Sequence, residues 1–335
     1  MVKDNNNNYL AIAFKHLLTA LLIAIIGSWC FQLLYPAIAG IFTNTAKNEI
    51  NIIYSHLVFV VSIILWCCYK FPIVRQFKKQ PLSTLTYYPI IAVLALICFI
   101  ILGSVIDIPN YYQHELESIM QEKFLCILTM GVIQPIAEEF LFRGVFLKEL
   151  LKWKSNPWWA ISVSAITFSI IHLNFTQMIS ALPLGIIMGW LYFKTQSLWP
   201  SIIIHITNNS ICCIASSIGS LSFLDIICNY PLIGILIIVP LNSILIFLII
   251  RKINNKQKDY EQTYRFDNFR NEKICRRIWR RCYRRLCGCN CIVLCNKEYQ
   301  MNKEYKEKIL KTGLEGFLIG IAIGVAAGIV YFFTH

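Results

Sequence analysis

The chain has 335 residues, 57% of them hydrophobic and 15% charged, with a formal net charge of +13. Soluble domains carry about 25% charged residues, so this composition excludes a soluble globular enzyme and points to a membrane protein. The positive charge is local: residues 251–311 hold 18 Lys/Arg against 7 Asp/Glu, which leaves the remainder close to neutral.

Apolar runs of about 17–25 residues mark membrane-spanning helices. They fall at 17–42, 50–69, 85–106, 124–147, 158–172, 178–193, 199–218 and 232–250, with a ninth at 314–333. The fifth and sixth are short enough to be partly re-entrant. Ala37-Ile38-Ala39 imitates a signal-peptide cleavage site, but the run before it exceeds the usual 7–15-residue signal core, so it reads as a retained helix. Positively charged loops mark the cytoplasmic side. Lys70, Arg75, Lys78 and Lys79 follow the second run, and Lys148, Lys152 and Lys154 the fourth. Lys194 follows the sixth, and Arg251 and Lys252 the eighth. The alternate loops, 107–122 and 220–231, are acidic or nearly uncharged. Every loop agrees with a cytoplasmic N-terminus.

The expected fold is an all-α, multi-pass membrane protein. Residues 1–250 form a bundle of eight core helices, 251–311 a basic cytoplasmic segment, and 312–335 a ninth helix. In the basic segment, Arg276-Arg277, Arg280-Arg281 and Arg284-Arg285 recur at spacing four between Ile274, Ile278, Trp279 and Tyr283. This suits a basic amphipathic helix on an anionic leaflet, making membrane lipid the expected partner and not nucleic acid. The ninth run carries Gly316, Gly320, Gly324 and Gly328 on one face, a stripe that packs against another helix, in a partner or in its own bundle.

Fourteen cysteines do not make a disulfide scaffold. Eight lie in or beside apolar runs, where a thiol is a small packing group. Six stand between Cys275 and Cys295, and Cys287, Cys289, Cys291 and Cys295 lack the paired C-x2-C spacing of zinc knuckles. Free reduced thiols are the favoured reading, with zinc ligation or S-acylation as alternatives.

The fourth run carries Glu138, Glu139 and Arg143. Each ionisable group at such depth costs about 2.5–3.5 kcal/mol on insertion scales, so a buried functional site is the default reading. Glu139 and Arg143, at i and i+4, can pair on one helix face. Glu138 lies about 100° around the axis and is free for a different task, such as facing a cavity as a general base. Phe168 and His172 in the fifth run, and His205 and Asn209 in the seventh, add polar groups at depth.

Glu-Glu-x-x-x-Arg (Glu138, Glu139, Arg143), Phe-x-x-x-His (Phe168, His172) and His-x-x-x-Asn (His205, Asn209), in this order on separate helices, resemble the successive motifs of the CAAX prenyl protease type II and bacteriocin-processing (CPBP, Abi) family. The approach to the last motif, with Gly185, Gly189 and Ser197-Leu-Trp-Pro-Ser201, is also similar. The resemblance covers residues 124–210. It implies an intramembrane glutamate endopeptidase without a cofactor, its site opening to the cytoplasm. Glu138 would activate water with His172, His205 and Asn209 would stabilise the oxyanion, and Glu139, Arg143 and Phe168 would support them. The implied substrate is a membrane-associated peptide or lipidated protein tail, prenylated Cys-a-a-X in eukaryotic members, and the expected location is a bacterial cell membrane. Alternatives are a zinc-dependent version, a non-catalytic immunity or scaffold protein of the same fold, and a proton-coupled transporter. Depths taken at 1.5 Å per residue leave one discrepancy, with Glu138 and Asn209 at about 15 Å and His172 at about 22 Å.

Overall fold

The computed structural model describes residues 8–42, 48–105, 123–153, 156–218 and 233–260. The ninth run with its glycine stripe, the Cys275–Cys295 cluster and the loops 107–122 and 220–231 lie outside the described residues. The protein is an all-α membrane protein, and no strand occurs among the described residues. Its principal helices are α1 (Asn8–Phe42), α2 (Asn48–Lys70), α3 (Tyr87–Val105), α4 (Phe124–Leu150), α5 (Pro157–Ile170), α6 (Phe175–Thr195), α7 (Trp199–Ile218) and α8 (Gly234–Tyr260). Six of them, all but α5 and α7, are long and apolar enough to cross a membrane.

α4 runs through the middle, packed by α1 and α2 on one side and by α5, α6 and α7 on the other. α3 lies against α7 and meets the start of α8. The main buried core draws side chains from all eight helices, and a smaller cluster gathers Ile53, Cys126 and Cys213. Large apolar side chains of α1 and α8, such as Leu18, Leu33, Leu236 and Phe247, face outward, as lipid contact requires. Both helices outrun their apolar stretches, α1 beginning before residue 17 and α8 ending after residue 250, and Lys15 and Lys252 in these extensions are exposed.

α5 is the shortest of the eight, with 14 residues, about 21 Å against a hydrocarbon core of about 30 Å. Pro157 occupies its first turn, and the Asn156 side chain caps it by accepting from the Trp158 backbone N–H at 3.0 Å, the usual start signal. It ends before His172, at a turn in which Leu173 takes a left-handed φ of 52°. The fifth run therefore stops short of the expected 158–172. α6 packs closely along α5: a Cβ on Gly185 would stand 3.3 Å from the Ala165 Cα, and one on Gly189 would stand 3.3 Å from the Ile161 Cγ2. This is the small-residue contact by which membrane helices approach.

α4 is not uniform. Ile127–Ile133 and Phe140–Leu147 are π-helical, and the intervening Gln134–Glu139 is α-helical. The uniform 3.6 residues per turn expected of the fourth run therefore holds only between the two wide stretches and at the ends of the helix. Each wide stretch contains one glycine at a crowded contact, Gly131 against Ser210 and Gly144 against Ile73. Each glycine carbonyl accepts from a side chain of the neighbouring segment, Ser210 Oγ at 3.2 Å and Gln76 Nε2 at 2.9 Å. π-turns of this kind are frequent at functional sites.

Gln76, in the short helical turn Ile73–Gln76, closes the end of the bundle that carries Lys78, Lys148 and Lys152. Its amide donates to the Gly144 carbonyl and accepts from the Tyr192 hydroxyl, and its backbone carbonyl accepts from Leu198 N. Phe77 wedges edge-on against Phe140 and Trp199, and Ser197 Oγ donates to the Lys78 carbonyl at 2.9 Å.

Candidate active site

α4 and α7 bring the charged residues together at mid-bundle. Glu139 is fully buried and Arg143 nearly so, and their ion pair measures 2.6 Å. The guanidinium also donates to the Gly185 carbonyl at 3.3 Å and lies 4.6 Å from the Phe168 ring centroid. An α6 carbonyl and an α5 ring thus surround a cation that would be very costly alone in an apolar bundle. The same Glu139 Oε1 lies 2.9 Å from His205 Nδ1. A carboxylate paired with Arg143 only accepts, so Nδ1 carries the proton and the ring is oriented by this bond.

With Nδ1 held, His205 Nε2 points to Glu138 Oε2 at 3.6 Å, beyond hydrogen-bond length. Glu138 is fixed through its other oxygen, which accepts from Gln134 Nε2 at 2.7 Å. Oε2 is buried and makes no hydrogen bond. An uncommitted buried carboxylate oxygen requires explanation, and it lies beside a cavity of about 240 Å³. Gln134, Phe168, His172, His205, Asn208 and Asn209 line that cavity, with Met130, Cys212 and Cys213 among its apolar walls. Glu138 is not itself a lining residue, but both side chains that its carboxylate faces are.

His172 donates from Nδ1 to the Phe168 carbonyl at 2.8 Å. In the neutral ring this leaves Nε2 as an acceptor in the cavity wall. Phe168 touches His172 and His205 with ring centroids 4.9 and 5.6 Å away, and Phe142 at 5.0 Å. α5 starts no later than expected, yet His172 lines the same cavity as His205 and Asn209. Asn209 donates at 3.3 Å to the Met130 carbonyl in the first π stretch, and its oxygen accepts from Asn208 at 3.2 Å. One N–H of its amide is thus placed by the wide turn, and the second remains for a ligand. The structure brings Glu138, Glu139, Arg143, Phe168, His172, His205 and Asn209 into one cluster.

Two features differ from the expectations set by the sequence. The resemblance implies a site opening on the basic, cytoplasmic side. This cavity lies on the other side of the charged cluster, lined from the first half of α4, the start of α6 and the later turns of α7; a separate cavity of about 270 Å³ lies at the basic end, lined by Lys148, Lys152, Tyr192 and Gln196. The cluster also includes Gln134 and Asn208, which stand outside the three motifs. Gln134 is detectable as a polar residue one turn before Glu138 on the same face, whereas nothing local separates Asn208 from an ordinary polar packing residue. Among the described residues no three His, Cys, Asp or Glu side chains converge as a metal ion requires, and the Asn209 amide and Arg143 guanidinium are not zinc-type donors.

Residues 120–211 match the model of the "Type II CAAX prenyl endopeptidase Rce1-like" family. The chain is also similar to a Bacillus subtilis (strain 168) protein named "Putative membrane peptidase YdiL", with 27% identity over 92 residues. That alignment takes in 28% of this chain and 37% of the relative, so the chain spans just over a third of the length of the curated relative it matches. No solved structure matches significantly. The matched segment holds every residue of the cluster.

Proposed function

We propose, from the match of residues 120–211 to the Rce1-like, type II CAAX prenyl endopeptidase model, that this chain is a membrane-embedded endopeptidase using Glu138 as its base. The observation that carries the reading is the uncommitted Oε2 of Glu138, 3.6 Å from His205 Nε2 while Gln134 occupies Oε1, beside a cavity whose wall contains His172 and Asn209. Water held by Glu138 Oε2 and His172 Nε2 loses a proton to Glu138 as its oxygen adds to the scissile carbonyl. The oxyanion receives hydrogen bonds from the free N–H of Asn209 and from His205 Nε2, preorganised donors in a site that excludes bulk water. Collapse breaks the C–N bond, and Glu138 returns the proton to the leaving amine.

His205 can donate from Nε2 only when both ring nitrogens are protonated, because Nδ1–H already serves Glu139. The substrate is a peptide bond in a membrane-associated peptide or protein tail, including prenylated Cys-a-a-X ends. The cavity position requires a segment that reaches mid-bundle. We place the N-terminus in the cytoplasm of a bacterial cell. No metal is required: the acceptors and donors above account for every proton and for the oxyanion.

The test is Glu138→Gln in the purified protein, assayed against a membrane-reconstituted peptide. Loss of about 10²–10⁴-fold in kcat is expected for removal of a general base. Full retention of cleavage would refute the assignment. Abolition of wild-type activity by a chelator, with recovery on adding zinc, would refute the metal-free mechanism.

A further inference from the structure

Glu138 is held by a line of hydrogen bonds that begins on a different helix. In α2, His56 Nε2 lies 3.0 Å from Gln134 Oε1. Gln134 Nε2 in turn donates to Glu138 Oε1 at 2.7 Å. His56 is 78 residues from Gln134 in sequence, and its ring stacks on Phe59 with centroids 6.2 Å apart.

The polarity of the line is set from the carboxylate outwards. Ionised Glu138 only accepts, so Gln134 presents its NH2 group to it. The Gln134 carbonyl then faces His56 and only accepts, which places a proton on His56 Nε2. An inverted Gln134 amide would set oxygen against the Glu138 carboxylate and NH2 against the His56 N–H, losing both bonds at once. Gln134 is thus tied at both ends, its NH2 group to the Glu138 carboxylate and its carbonyl to the His56 N–H. With Oε1 occupied, Oε2 is the oxygen left to face His205 and the cavity.

We propose that His56 is a positioning residue for Glu138, acting through Gln134 to keep Oε2 directed at the reaction centre. This rests on the peptidase reading above. It extends the site to α2, outside both the matched segment and the three motifs.

The test compares two substitutions in the full-length purified protein, with a quenched-fluorescent peptide ending in a farnesylated Cys-a-a-X sequence as probe. His56→Phe keeps a ring on Phe59 and removes the donor. His56→Gln removes the ring and keeps an N–H near the Nε2 position. Positioning predicts about a tenfold fall in kcat for His56→Phe, the worth of one such hydrogen bond, with KM nearly unchanged and activity retained in His56→Gln. In a Gln134→Ala background, His56→Phe should add nothing further. Equal activities in the two variants, or loss confined to His56→Gln, would overturn the proposal, since ring packing would then be the role of His56.

A second measurement needs no substrate. 15N NMR of histidine-labelled protein should show His56 protonated at Nε2, and this preference should be lost in Gln134→Ala. Protonation at Nδ1 alone in the wild type overturns the proposal. Glu138→Gln separates the two levels of inference. Retained cleavage in that variant counts against Glu138 as the base, whereas the tautomer of His56 decides the hydrogen-bonded line in either case.

Discussion

The Glu139–Arg143 pair gives the sharpest test of how this bundle tolerates charge. Glu139→Gln changes one atom type in a fully buried side chain and leaves Arg143, 1% exposed, without its counter-charge. The guanidinium then keeps the Gly185 carbonyl and the face of Phe168, neither of which carries formal charge, and the more distant carboxylate of Glu138. Breaking a buried pair by removing one partner costs about 3–5 kcal/mol, whereas replacing both by apolar groups of similar volume is often close to neutral. Glu139→Gln and Arg143→Met should therefore each destabilise by about 3–5 kcal/mol in denaturant titrations in a mild detergent, and Glu139→Leu/Arg143→Met should recover most of the loss. Stability and activity should then part company. The double variant folds, but His205 Nδ1 has lost its acceptor and the ring its fixed orientation, so cleavage stays well below the wild-type level. A double variant no more stable than Glu139→Gln would refute the reasoning, and so would single variants within about 1 kcal/mol of wild type.

Asn209→Ala removes one expected oxyanion donor, so kcat should fall about 10²–10³-fold with KM little changed, measured on the same peptide. Gly185→Val pushes a branched side chain into Ala165, with a Cβ 3.2 Å from its methyl, and should cost about 1–3 kcal/mol of stability, read from detergent-phase thermal unfolding. Gln76→Leu strands the Gly144 carbonyl and the Tyr192 hydroxyl in a buried position, and the same assay should report a loss of about 1–3 kcal/mol for each.

Much of the cluster is legible in the sequence because charge is conspicuous in an apolar helix. Glu138, Glu139 and Arg143 stand out from their neighbours, and the i, i+4 relation of Glu139 to Arg143 fixes their pairing without any tertiary information. The bounds of α7 are set likewise by Pro200 and the apolar run. Contacts between segments far apart in sequence are not legible. Nothing near Gln76 foretells that it ties the Gly144, Tyr192 and Leu198 segments together, and His56 reads as a lone histidine on an apolar helix. The two π stretches are hidden for another reason: Ile127–Ile133 is apolar on every side apart from Thr129, so it offers no polar stripe whose spacing would show a wider winding.

Those wide windings carry a consequence for how the site is encoded. Between them, Gln134–Glu139 forms a short block whose angular setting about the α4 axis is decoupled from the faces presented further along. Deleting one residue from 127–133 leaves α4 equally apolar and nearly as long. It also rotates the later turns of the helix by about 100° relative to the earlier ones. Glu138 and Glu139 would then face away from His205 although every residue of the cluster is still present. Part of the information for this site is therefore a residue count, which substitutions leave untouched and a single-codon deletion erases.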